Sequence, residues 1–233
     1  RKHELPDTPA ATFKELGLNA QSLQALEQIE YVTPSPIQAA FIPIALSGCD
    51  CTGQAHTGTG KTAAFVLPIL EQIDPEDLRT QALVLTPTRE LAEQVKREAE
   101  RLAYCSPIRT ACFVGGRDIN RQIKQLSEGV QLACGTPGRV IDLNDRGMLD
   151  MSNFKVVVLD EAHRMLDIGF EPDIRKILSR CPPERQTLLL SATLPASVER
   201  LAKKYMKSPD RIDLSGDAVA VDSIEQFFVT VDP

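Results

Sequence analysis

Short apolar runs rich in β-branched residues alternate along the chain with longer stretches in which apolar residues recur every three or four positions. The short runs predict strands at 49–53, 82–86, 110–114, 130–134, 156–160, 187–191 and 211–214. The longer periodic windows predict helices at 61–73, 89–103, 119–126, 139–146, 174–178 and 196–206, with two more, at 13–29 and 36–46, ahead of the first strand. Strands separated by helical crossovers must run parallel and be covered on both faces. The expectation is therefore an α/β fold with a mostly parallel central sheet between two helical layers.

Composition narrows this picture. Aromatic residues make up only 5% of the 233 residues and Trp is absent, so the core must rest on Val, Ile, Leu and Ala, as a buried parallel sheet requires. A net charge of −6 means that no global positive field draws the chain to a polyanion, and any nucleic-acid contact must be local. No apolar stretch is long enough to cross a bilayer, and a soluble, cytoplasmic monomer without a membrane partner is expected. The six cysteines form no C-x-x-C pair and read as reduced core thiols. The chain opens at Arg1 without Met and reads as a fragment.

Candidate chemistry begins after the first strand. His56, Thr57, Gly58, Thr59, Gly60, Lys61 and Thr62 lie between that strand and a predicted helix, the context a phosphate-binding loop needs. Gly58 and Gly60 let backbone amides turn inward around phosphate, Lys61 supplies a point charge, Thr62 offers a hydroxyl to Mg²⁺, and the helix start adds its positive pole. The competing reading is an ordinary Gly-Thr turn. Farther on, an apolar strand ends in Asp160 and Glu161, an arrangement that can hold Mg²⁺ through Asp160 and orient an attacking water through Glu161.

Two other strands end in one grammar: Thr86, Pro87, Thr88, Arg89 and Thr136, Pro137, Gly138, Arg139. Thr before Pro predicts a cap followed by a first helical residue, with an Arg close by. Gly115 and Gly116, followed by Arg117, close a third strand and allow close backbone approach. In a parallel sheet all these loops leave the same edge as the nucleotide loop. One nucleotide needs one phosphate cradle, so further cradles in a row suggest a nucleic-acid backbone read with little sequence preference.

Together these segments resemble the first RecA-like domain of a DEAD-box RNA helicase, over nearly the whole chain. The resemblance implies a RecA-like P-loop NTPase fold, with residues 1–39 as an N-terminal flank carrying the Q motif, 40–214 as the ATP-binding domain and 215–233 as the start of an inter-domain linker. It implies ATP and Mg²⁺ as ligands and single-stranded RNA as partner. Phe13 and Tyr31 would serve as aromatic adenine contacts, with Phe13 packing on the base and Gln38 bonding its edge. Pro87, Thr88, Arg89, Gly115, Gly116, Thr136, Pro137, Gly138 and Arg139 would grip the RNA backbone. Ser191 and Thr193 would couple hydrolysis to RNA release.

The chain departs from that pattern at His163, where the family usually has Asp, so its contact with Ser191 or Thr193 must differ. Glu30 also stands where the Q motif often has Gly. The family's second RecA-like domain supplies an arginine finger and half of the RNA groove. This chain alone is therefore expected to bind ATP with Mg²⁺, hydrolyse it slowly and not unwind RNA. The rival expectation is an RNA-binding scaffold with an inactive ATP site.

Overall fold

A computed structural model describes residues 12–56 and 58–214 of the chain. The expected linker at 215–233, the start of the flank and Thr57 lie outside the described residues. The apolar runs form seven strands: β1 Cys51–Gln54, β2 Ala82–Leu85, β3 Thr110–Phe113, β4 Leu132–Gly135, β5 Val156–Asp160, β6 Gln186–Ser191 and β7 Asp210–Asp213. They make one sheet in the order β3-β4-β2-β5-β6-β1-β7, every pair parallel.

The register sorts side chains by strand alternation. Val84, Val158 and Leu188 are aligned in β2, β5 and β6 and belong to one buried cluster, while Leu83, Val157 and Leu189 belong to the other. The helices are α1 Ala20–Gln28, α2 Pro36–Leu46, α3 Lys61–Gln72, α4 Arg89–Leu102, α5 Ile119–Ser127, α6 Pro137–Asp145, α7 Ala162–Ile168, α8 Glu171–Arg180 and α9 Ala196–Tyr205. The first four bury Leu26, Phe41, Phe65 and Val95 in the first cluster. The helices α6 to α9 bury Val140, Met165, Ile177 and Val198 in the second, with Ile119 and Ile123 of α5 packed against it. A sheet with apolar faces on both sides is thus covered on both, giving three layers.

Three features differ from the sequence expectation. The stretch 13–29 is not one helix: Phe13–Leu16 make a 3₁₀ turn, Gly17 turns left-handed at φ 85°, and α1 starts after Asn19, whose side chain accepts from the Ser22 amide at 2.9 Å. The helix α7 was not foreseen, being only seven residues long and starting directly behind the paired carboxylates. The six cysteines are free, and Cys51, Cys134 and Cys181 are buried, but Cys49 is exposed rather than in the core. No described helix is long and apolar enough to cross a membrane.

Candidate active site

Because every strand runs the same way, the loops following β1 to β6 emerge along one rim. Strand order fixes their sequence along it: Gly115 after β3, Thr136 after β4, Thr86 after β2, Glu161 after β5, Ser191 at the end of β6, and the phosphate-type loop after β1. The rim therefore divides at β5. The expected nucleotide residues fall on one half and the expected polyanion residues on the other.

On the first half, a cavity of about 490 Å³ is lined by Tyr31, Gly60, Lys61, Thr62, Asp160 and Glu161, with α4 forming its far wall. Lys61, at the start of α3, reaches across β6 to Glu161 and donates to its Oε1 at 2.5 Å, with the two side chains only 7% and 4% exposed. Glu161 holds a left-handed backbone at φ 53°, a conformation disfavoured for a side chain with a Cβ. Such strain is tolerated where surrounding structure enforces it, commonly at functional sites. Gly60 is left-handed at φ 89°, and a Cβ there would collide with the Gln38 side chain. Gln38 is buried: its Nε2 donates to the Gly60 carbonyl at 3.1 Å and its Oε1 accepts the Ser35 amide at 2.8 Å. It ties α2 to the loop, leaving one amide hydrogen and one lone pair for a ligand.

The aromatic pair is arranged otherwise than expected. Phe13 is 4% exposed and lies in the core. It backs Tyr31, with ring centroids 6.5 Å apart and planes at 22°. Tyr31 is the half-buried ring lining the cavity. Its hydroxyl donates to Glu98 at 2.6 Å, and the Arg101 guanidinium lies 5.9 Å from its centroid. Burial, reinforced by the Glu98 hydrogen bond, pushes the Tyr31 phenol up to about 12. His56 is exposed and its carbonyl accepts the Thr59 hydroxyl at 2.8 Å.

The donor set suits Mg²⁺. Asp160 Oδ1 and Glu161 Oε2 are buried without a hydrogen-bond partner among the described residues, although buried carboxylate oxygens normally have one. Burial pushes the Asp160 carboxyl up to about 7, with Lys61 opposing the rise and Glu161 adding to it. No cluster of three His, Cys, Asp or Glu suited to a metal occurs among the described residues. One carboxylate, the Thr62 hydroxyl and phosphate oxygens from a nucleotide are the usual surroundings of Mg²⁺, which keeps much of its water.

The other half of the rim carries an open groove of about 520 Å³, lined by Pro87, Thr88, Arg89, Gly115, Thr136, Gly138 and Arg139 together with Phe170. The two Thr-Pro segments differ in detail. In the second, Thr136 stands at the cap of α6 and Pro137 opens the helix, although the Thr136 hydroxyl makes no cap hydrogen bond. In the first, the cap is Thr88, which accepts the Leu91 amide at 3.2 Å, and Pro87 lies outside the helix. The residue before a proline is held extended, so Thr86 stays at the strand end and bonds the Thr88 carbonyl at 3.0 Å. Arg89 is exposed and its guanidinium lies against Gly116, where any Cβ would overlap it. Arg139 donates to the Arg117 carbonyl at 3.3 Å and stands 3.8 Å from Asp142. Neither arginine is locked into a tight buried ion pair.

Between the halves, His163 Nδ1 lies 2.7 Å from Ser191 Oγ, which also accepts the His163 amide at 3.3 Å. Ser191 can thus receive one proton and give its own to the imidazole. Thr193 is exposed and makes no such contact with His163. Three residues that sequence reasoning did not single out complete the site. Glu98 and Arg101 reach Tyr31 from α4 across 67 and 70 positions, a distance no local pattern reveals. Gln122 is 4% exposed and brackets Val114, accepting its amide and donating to its carbonyl, both at 3.2 Å, so that it fixes the start of the Gly115–Gly116 loop.

A family model described as DEAD/DEAH box helicase matches residues 35–201. The chain is 44% identical over 220 residues to the DEAD-box ATP-dependent RNA helicase CshA of Geobacillus kaustophilus, a match covering 94% of this chain and 47% of that protein. With the CshA of Bacillus subtilis the identity is 42% over 220 residues, covering 94% and 44%. Among solved structures, a DEAD box protein from the hyperthermophile Methanococcus jannaschii is similar with a TM-score of 0.84 and 40% identity, covering 88% of this chain and 56% of that one. The chain spans about half the length of the relatives it matches.

Proposed function

Since the chain belongs to the DEAD/DEAH box helicase family, we propose that it is the nucleotide-binding part of an ATP-dependent RNA helicase. In this reading it binds ATP with Mg²⁺ on one half of the rim and the backbone of single-stranded RNA on the other. Joined to a second domain, it uses hydrolysis to unwind or remodel RNA. The carrying observation is the division of one sheet edge into a cavity with buried, tightly paired charges and an adjacent open groove whose arginines, Arg89 exposed and Arg139 12% exposed, make no tight ion pair.

The residues support defined roles. Tyr31 offers the ring on which adenine stacks, backed by Phe13, and Gln38 keeps one donor and one acceptor for the base edge. Lys61 exchanges Glu161 for phosphate oxygens when the nucleotide enters, which releases Glu161 to orient water and accept its proton. Asp160 and Thr62 would hold Mg²⁺, which supplies charge neutralisation of the β- and γ-phosphates. Arg89, Arg139 and the backbone of Gly115 and Gly116 meet RNA phosphates, contacts that position a strand without reading its bases. The greater length of the relatives supports a further domain, whose arginine would add charge stabilisation worth orders of magnitude in rate.

Phosphate release by the complete protein, with and without RNA, compared with its Glu161→Gln variant, tests the reading. RNA-stimulated release that Glu161→Gln abolishes supports it. Equal, slow rates would favour a scaffold that binds RNA without turnover, a reading to which the imidazole of His163 against Ser191 gives some weight.

A further inference from the structure

A second cavity lies close to the groove. At the open edge of β3, α4 and α5 enclose this space of about 530 Å³, whose lining includes Lys96, Arg97, Arg117 and Arg121. These four cations are set against two lining carboxylates, Glu93 and Asp118, a local positive excess in a chain of net charge −6. Glu93 pairs with Arg117, and Lys96 is 2.7 Å from Glu100, while Arg97 and Arg121 have no ionic partner among the described residues. The buried Gln122 forms part of the wall, while Arg97 and Arg121 are exposed and the Lys96 and Arg117 side chains are 29% and 62% exposed, so an entering anion meets accessible cations.

Two contacts join this cavity to the groove. Arg117 gives its carbonyl to Arg139 on the groove side and its side chain to the cavity side. On α4, Arg89, Glu93 and Lys96 follow at i, i+4 and i+7, one stripe that leads from groove to cavity over roughly 10 Å. We infer that the cavity between α4 and α5 is an additional phosphate subsite, and that a nucleic-acid strand leaving the groove passes over Arg117 to place further phosphates against Lys96 and Arg121. This rests on the reading of the groove as an RNA-backbone site. The link to the groove through Arg117 and the α4 stripe favours a strand over a separate small anion or an acidic protein segment.

The test uses the complete protein and fluorescently labelled single-stranded RNAs of about six and about twelve nucleotides, a range that spans common site sizes. Binding is measured by anisotropy over a series of salt concentrations. The paired substitution Lys96→Gln with Arg121→Glu is expected to weaken the longer RNA about tenfold and flatten its salt dependence by about 0.7 per lost phosphate contact, while the shorter RNA binds as before. The charge-keeping pair Lys96→Arg with Arg121→Lys should retain the affinity for the longer strand, which separates charge from fold. Equal losses for both lengths, or no loss for either, would overturn the subsite. So would competition by inorganic tripolyphosphate against the longer RNA that the paired substitution removes without any length effect, since it marks a small-anion site. If the unaltered protein binds neither RNA, the groove reading itself fails along with the subsite; if it binds the short one and gains nothing from length, the subsite alone fails.

Discussion

In the nucleotide half of the rim the decisive charges are held out of water: Lys61 and Glu161 pair at 2.5 Å with 7% and 4% of their side chains exposed, and Asp160 lies beside them with an oxygen that has no hydrogen-bond partner among the described residues. In the groove half, Arg89 is exposed and Arg139 stands 3.8 Å from its carboxylate, while amides at loop and helix starts supply the rest. Buried charges are costly unless every partner is in place, so such a site tolerates one ligand geometry. Loosely held cations and backbone amides meet any chain of phosphates that fits the groove. The contrast assigns specificity to the first half and tolerance to the second.

The largest effect should come from breaking the buried pair. Lys61→Ala removes the buried cation bonded to Glu161, leaving only the His163 imidazole 3.6 Å from its other oxygen, and is expected to cost about 3–5 kcal/mol of stability as well as ATP binding. Urea unfolding and a fluorescent ATP analogue measure the two losses; a variant of unchanged stability would show that the pair is not strained by burial. Next in size are the groove arginines. Arg89→Ala with Arg139→Ala should lower single-stranded RNA affinity about tenfold and reduce its salt dependence, leaving affinity for the ATP analogue unchanged. Loss of ATP affinity in that variant would erase the division of the rim.

Asp160 gives a comparison by pH. Its carboxyl is raised to about 7 by burial, against about 4 in the unfolded chain. The folded protein thus keeps a proton that the unfolded chain has lost between those values. Its contribution to stability is fully present below about 4, declines as pH rises toward 7 and is flat above. Metal binding runs the opposite way, because the proton competes with Mg²⁺. Affinity for the Mg²⁺ form of the ATP analogue should fall about tenfold from pH 8 to pH 6, while RNA affinity in the groove changes little. Asp160→Asn should remove that slope, and a slope that survives would assign it to another group. The smallest effect concerns Glu30, which sits at φ 60° ahead of Tyr31. Glu30→Gly should raise stability by about 0.5–1 kcal/mol, read as a higher urea midpoint.

Much of the layered architecture could be read from alternation alone. The run Val156, Val157, Val158, Leu159 is apolar on both faces, which only a doubly covered strand can bury, whereas its register with β2 and β6 is known only from the structure. The helix α7 could not be read: its cap position is Glu161 in a left-handed conformation, and no Ser, Thr or Asn marks the start. The two Thr-Pro segments look alike as text yet cap differently, because Thr88 competes with Thr86 in one and Gly138 offers no competing hydroxyl in the other. Phe13 was expected at the base, but burial assigns it to the support of Tyr31. The partners Glu98 for Tyr31 and Gly60 for Gln38 depend on tertiary contact across 67 and 22 positions, and no local spacing encodes them.

A crystal structure of the complete protein with an unreactive ATP analogue and single-stranded RNA bears most directly on the division of the rim. Both ligands are expected to be bound at once, the triphosphate against Lys61 and Asp160 and successive RNA phosphates against Arg89 and Arg139. RNA lying elsewhere on the sheet, or occupying the cavity of Lys61 in place of the nucleotide, would contradict that division.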